Sequence, residues 1–238
     1  MSIPGLDRWL ASTPGRHVLA WEQRQVDDLI TDIFGYHALQ IGLPQADFLR
    51  ANRIPLRQKT GGTGDVDFLC HFPALPIASN STDLIVLPHV LEFSDEPHQI
   101  LREVERILIP EGQLIIIGFN PLSLWGLKRR FDRSGAFPWN GSYLSLNRLK
   151  DWLKLLGFEV DRGSLGCCMP PLERLRWLQG WQTIDNSRER WWNFSGGVYV
   201  LRAIKRMHGM RLITPDWKKK TVRAKALRPI TQKETHGH

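Results

Sequence analysis

The stretch Ser81–Phe119, STDLIVLPHVLEFSDEPHQILREVERILIPEGQLIIIGF, decides the fold. Asp83 to Leu87 is an apolar run of strand length that breaks at Pro88. After it, Ser94 or Asp95 can cap a helix whose first turn accepts Pro97. Ile100, Leu101, Val104, Ile107 and Leu108 then recur at helical spacing, and Pro-Glu-Gly stops the run. "QLIIIGF" is apolar on both faces, as an inner parallel strand should be. Strand, helix, strand with short links is a right-handed crossover of an α/β sheet.

Working outward, "VLAWEQRQVDDLITDIFG" predicts a helix over 18–35, with Val18, Leu19, Val26, Leu29, Ile30 and Phe34 inside and Gly35 as its stop. "HALQIG" reads as a buried strand, "PQADFLRAN" as room for about two helical turns, and "IPLRQKT" as a second strand. Gly61, Gly62 and Gly64 resemble a phosphate loop in composition only. Such a loop opens a helix, whereas "DFLCHF" reads as a strand, so these glycines predict a tight turn. Downstream, 121–144 has no period and reads as a long lid-like loop. "SLNRLKDWLKLLGF" predicts a helix capped by Ser145 or Asn147, with Leu149, Leu153 and Leu156 inside and Gly157 at its end. "EVDRGSLG" and "GGVYVLRAIKR" read as the last two strands, separated by a Trp-rich insertion over 167–195.

The central phrase, with Leu75-Pro76 before it and "GFNPLSLWGL" after it, resembles the class I S-adenosylmethionine-dependent methyltransferases. Within them it is similar to the methyltransferase type 11 group and a bacterial subset of it. The resemblance runs from about Trp9 to Arg206 and is most specific in the centre. It implies a Rossmann-like α/β fold: a seven-stranded, mostly parallel sheet with helices on both faces and an antiparallel last strand. It also implies S-adenosylmethionine as cofactor, lying across the carboxyl ends of the first strands. Gln40 to Ala46 stands where the family has a carboxylate and a G-x-G-x-G loop, and only Gly42 matches. Pro44 brings no N–H and the other side chains hinder close backbone approach. No carboxylate follows "IPLRQK" to hold the ribose. His71 stands where the family often has Asp, and Phe72, Leu75 and the backbone of Leu87, Pro88 and His89 are placed to contact an adenine. The resemblance therefore assigns cofactor contacts to Gln40, Gly42, Leu43, His71, Phe72, Leu75, Leu87, Pro88 and His89.

His89 is the one candidate acid or base, since it follows the central strand and titrates near neutrality; a structural role bonded to its neighbours is the competing reading. Glu92 stands close enough to orient it or simply faces water. Asn120-Pro121 reads as a loop entry. Trp125, Trp139, Trp177, Trp181, Trp191 and Trp192 either line an acceptor pocket, stack bases, or seal the insertion onto the sheet.

Composition bounds the rest. The 238 residues, 42% hydrophobic, suit one core with appendages. No apolar run is long enough for a membrane span and no secretory signal opens the chain, so a cytoplasmic location is expected. Cys70, Cys167 and Cys168 lack a zinc spacing, and His236 and His238 lack partners for a metal. Of the formal charge of +8, +6 lies from Arg211 onward, which predicts a domain over 1–210 and a basic tail over 211–238. The function expected is methyl transfer to an acceptor, small or macromolecular, that the sequence does not identify. The alternative is a catalytically silent member of the fold that binds a partner, with RNA or an acidic protein met by the tail.

Overall fold

The computed structural model describes residues 5–132, 137–167 and 196–206. The chain divides into two units, Met1–Met207 and His208–His238. The second unit, which holds all of the basic tail, lies outside the described residues, as does the Trp-rich insertion from Cys168 to Ser195.

Seven strands form one sheet: β1 (His37–Ile41), β2 (Leu56–Gly61), β3 (Phe68–Leu69), β4 (Thr82–Pro88), β5 (Leu108–Phe119), β6 (Phe158–Gly166) and β7 (Val198–Lys205). Their order is β3-β2-β1-β4-β5-β7-β6. The first five are parallel neighbours, and β7 runs antiparallel to both β5 and β6. The helices are α1 (Leu6–Leu10), α2 (Thr13–Ile30), α3 (Pro97–Ile107), α4 (Leu124–Phe131) and α5 (Leu146–Leu155). Because side chains alternate along a strand, Leu84, Val86, Ile115 and Ile117 pack with Val18, Trp21, Val26 and Ile30 of α2. Ile85, Leu87, Leu114 and Ile116 turn to the other face, against Ile100, Leu101 and Val104 of α3 and Leu149 and Leu153 of α5. The expected seven-stranded, mostly parallel sheet with helices on both faces is what the chain forms.

Several boundaries differ from expectation, each for a local reason. Helix α2 starts at Thr13, where the Ser12 hydroxyl accepts from Gly15 N. It ends at Ile30 because the Asn52 amide donates to the carbonyls of Ile30 and Ile33, at 2.6 and 3.0 Å. Phe34, expected inside, is 73% exposed, and Gly35 is a close-approach glycine: a Cβ there would meet Asp83 at 2.4 Å. "PQADFLRAN" forms turns, not helix. Its amides are taken by side chains, Phe48 N by Gln40, Leu49 N by Asp47 and, just beyond it, Ile54 N by Asn52, which competes with helical bonding.

Neither Ser94 nor Asp95 caps α3. Glu96 holds that position without a side-chain bond, and Ser94 Oγ accepts from Glu96 N. The helix stops at Ile107, and Leu108 already pairs with Thr82 in β5. Within 121–144, expected to be loop, Ser123 caps α4; its apolar residues Leu124, Leu127 and Phe131 do recur at helical spacing, but over eight residues only, and Trp125 is the one side chain it buries. Ser145 rather than Asn147 caps α5, and the strand read in "DFLCHF" is only the two-residue β3.

Candidate functional site

The chain reverses at β1: β2 and β3 lie to one side, β4 and β5 to the other. In such sheets the crevice beyond the carboxyl ends at the reversal is where ligands bind. Here it is shaped by the turn that follows β1. Gly42 and Leu43 both have positive φ, 85° and 47°, a conformation that costs a leucine energy. Gln40 stabilises it from beneath. Fully buried, its amide donates to the carbonyls of Gly42, Leu43 and Ala46 at 3.1, 3.0 and 2.8 Å, and its oxygen accepts from Phe48 N at 2.9 Å. One glutamine thus satisfies four backbone groups of a turn that has a single glycine.

A cleft of about 140 Å³ opens above this turn. Gly42, Leu43, Pro44 and Gln45 form one wall and Gly61, Gly62, Thr63 and Gly64, at the end of β2, another. Phe72, Pro88, Val90 and Phe93 close the sides, and Leu6 of α1 reaches in from the N-terminus. Gly42 is needed for more than its φ, since a Cβ there would meet Val90 Cγ2 at 2.6 Å.

Of the residues assigned by sequence, Gly42, Leu43, Phe72 and Pro88 line this cleft. Gln40 lies under its floor. Leu75 and Leu87 sit in the α3-side core, His71 is exposed in a small turn bridged to Ala74, and His89 is buried behind the wall made by its neighbours Pro88 and Val90. The glycines at 61–64 make a turn, as expected, and also line the cleft, which their composition did not announce. Leu6, Thr63, Val90 and Phe93 carried no sequence signal.

Behind that wall lies a buried ionic cluster. His89 Nε2 meets Glu22 of α2 at 2.8 Å and Nδ1 meets Glu92 at 2.9 Å, with all three residues at most 3% exposed. Glu92 also accepts from Phe119 N. Burial alone would lower the His89 pKa, but the charges and hydrogen bonds of Glu22 and Glu92 outweigh it and hold the imidazole at about 10. Burial pushes Glu92 upward despite its bonds to His89 and Phe119, and burial, with the Glu92 charge, raises Tyr143 and Tyr199. His89 itself has φ 53°. Its ring stacks on Phe119 at 4.3 Å, and Phe119 in turn packs against Trp9, Trp125 and Tyr143. Trp125 is 1% exposed and stacks on Trp139 at 5.5 Å, so these two tryptophans pack against each other at the edge of the core. Trp177, Trp181, Trp191 and Trp192 lie outside the described residues. Among the described residues no group of His, Cys, Asp and Glu has the arrangement of a metal site, and no helix is long and apolar enough to cross a membrane.

Residues 47–116, from the turn after β1 into β5, match the family model of the methyltransferase domain. Solved structures agree in fold. A Thermotoga maritima SAM-dependent methyltransferase, described as a possible histamine N-methyltransferase, superposes with a TM-score of 0.64 at 18% identity, covering 84% of this chain and 94% of that one. An Archaeoglobus fulgidus SAM-dependent methyltransferase gives 0.56 at 16% identity, covering 79% and 94%. A geranyl diphosphate methyltransferase solved with GPP and sinefungin gives 0.54 at 11% identity, covering 78% and 77%. The chain therefore has the class I methyltransferase fold, and its central segment matches the methyltransferase-domain model. Among curated proteins it is similar to the uncharacterized protein YafS of Escherichia coli (strain K12), 36% identical over 145 residues. That match spans 60% of each chain.

Proposed function

We propose that the protein is an S-adenosylmethionine-dependent methyltransferase that binds its cofactor between the Gly42 turn and the Gly61–Gly64 turn. The observation that carries this is the position of the cleft, at the carboxyl ends of β1, β2 and β4 where the sheet order reverses. The lining suits the adenosine part of such a ligand. Two glycine-bearing turns allow close backbone approach, Thr63 and Gln45 bring neutral polar groups, and Phe72, Pro88 and Val90 supply apolar surface. Among the described residues no carboxylate lines the cleft, so ribose hydroxyls would bond to backbone and to Thr63. At about 140 Å³ the cleft is smaller than the roughly 300 Å³ or more of sites that engulf a ligand of this size, which fits a cofactor held partly at the surface.

When bound, the cofactor supplies an activated methyl group on a sulfonium. The protein's task in such a displacement is orientation, for which no acid or base is obligatory. Consistent with this, among the described residues no titratable side chain lines the cleft, and His89 is held by Glu22 and Glu92 next to its wall rather than at the ligand.

Calorimetric titration with S-adenosylmethionine and with its demethylated product tests the proposal. Saturable heat is expected with both. Thr63→Arg, which fills the cleft from an exposed position, should weaken binding about ten-fold or more, since it costs at least one good contact, while leaving thermal stability unchanged. No heat at millimolar ligand would overturn the proposal and favour the silent binding module.

A further inference from the structure

Helix α4 is docked with its apolar stripe outward. At 3.6 residues per turn, Leu124, Leu127 and Phe131 share a stripe about 60° wide. They are 50%, 53% and 74% exposed, and Leu122, just before the helix, is 79% exposed. Trp125 occupies the opposite face and is buried, and Arg129 beside it lies over the Tyr143 ring at 5.1 Å. The stripe is bordered by Lys128 on one side and Arg130 on the other. From Asn120 to Phe131 there is no acidic residue, and three of the eight helical residues are basic.

This arrangement is stable where it stands. Ser123 caps the helix, Trp125 anchors it through Phe119 and Trp139, and Gly126 packs so close to the preceding turn that a Cβ there would meet Pro121 O at 2.0 Å. Its outward face is a convex ridge and not a groove. A convex apolar ridge edged by cations complements the boundary between acyl chains and anionic headgroups. An acidic-rimmed protein groove would need a matching depth for each side chain, whereas a bilayer takes a ridge of any contour.

We propose that α4, with Leu122, docks the protein on an anionic membrane surface by inserting Leu124, Leu127 and Phe131 between headgroups. Because α4 follows the carboxyl end of β5, the docked face lies on the edge of the sheet that carries the cleft. The proposal does not depend on what the cleft binds.

Vesicle sedimentation of the full chain tests it, with phosphatidylcholine vesicles alone and with phosphatidylglycerol added. The basic tail complicates the reading, since it would attract anionic vesicles by charge alone. Salt separates the two contributions: at about 0.5 M the screening length falls to about 4 Å, which removes attraction at a distance and spares inserted apolar groups. Binding to the phosphatidylglycerol vesicles that persists at that salt, and that falls roughly ten-fold in Leu127→Glu/Phe131→Glu, is expected. Both side chains are exposed, so circular dichroism of this variant should match the unsubstituted chain. Binding abolished by salt, binding unchanged in the variant, or no binding to any vesicle would each overturn the proposal. The first two would assign membrane contact to the tail, and the third would leave the ridge to a protein partner.

Discussion

A glutamine amide offers two protons, and Gln40 shares them among three carbonyl oxygens while its own oxygen takes the Phe48 amide. Replacing it by the carboxylate usual at this place in the family would turn a donor into an acceptor facing those oxygens. Gln40→Glu should therefore destabilise the fold by about 2–4 kcal/mol, read as a lower urea midpoint. The residue was legible as a departure from a family pattern; its bonds were not, because they join backbone groups whose turn geometry no periodicity encodes. The same holds for His89, whose partner Glu22 is 67 residues away. Its folded pKa of about 10 lies above the ordinary 6.5, so the folded state binds the extra proton between those values. Its stabilisation is complete below pH 6.5 and is lost as pH rises toward 10. Glu92, raised by burial, acts with the same sign from the carboxylate range upward. Unfolding free energy should fall across this window, by at most about 1.4 kcal/mol per pH unit for each group. His89→Gln should flatten that fall while costing about 3–5 kcal/mol at neutral pH, since two buried carboxylates lose their cation.

Among elements, those with one buried face were readable and those held by polar anchors were not. Helix α3 shows its apolar positions at helical spacing, and all of them are buried. Its C-terminus depends on a residue far along the chain: Lys205 of β7 donates to the carbonyls of Glu105 and Leu108, at 2.6 and 2.9 Å, and to Asn80. Lys205→Ala should cost about 1–3 kcal/mol, with amide hydrogen exchange accelerated first in the last turn of α3. Helix α4 is the opposite case. Its one buried side chain is Trp125, stacked on Phe119 at 5.8 Å, and eight residues with an outward apolar stripe do not stand out from a Gly- and Pro-rich stretch. Trp125→Ala should lower stability by about 3–5 kcal/mol and increase proteolytic cleavage within 124–131.

At the scale of the molecule, the sheet was legible because Ser81–Phe119 fixes two neighbouring parallel strands and the helix between them, and the remaining strands can add in few ways. The cleft was legible by position alone. Its walls come from α1, the β1 turn, the β2 turn and the residues after β4, and no single segment carries that combination. A ligand bound only by the folded state must stabilise it, by about 2.7 kcal/mol at a hundred times its dissociation constant. Urea unfolding with saturating S-adenosylmethionine should shift accordingly, and Thr63→Arg should abolish the shift. The most direct measurement is a crystal structure of the protein soaked with the demethylated cofactor. It should show the adenosine between the Gly42 turn and the Gly61–Gly64 turn, against Phe72 and Val90, with the Gln40 bonds intact. A cleft left closed by Val90 and Pro44 at ligand concentrations that saturate related methyltransferases, or ligand bound elsewhere on the sheet, would contradict the account.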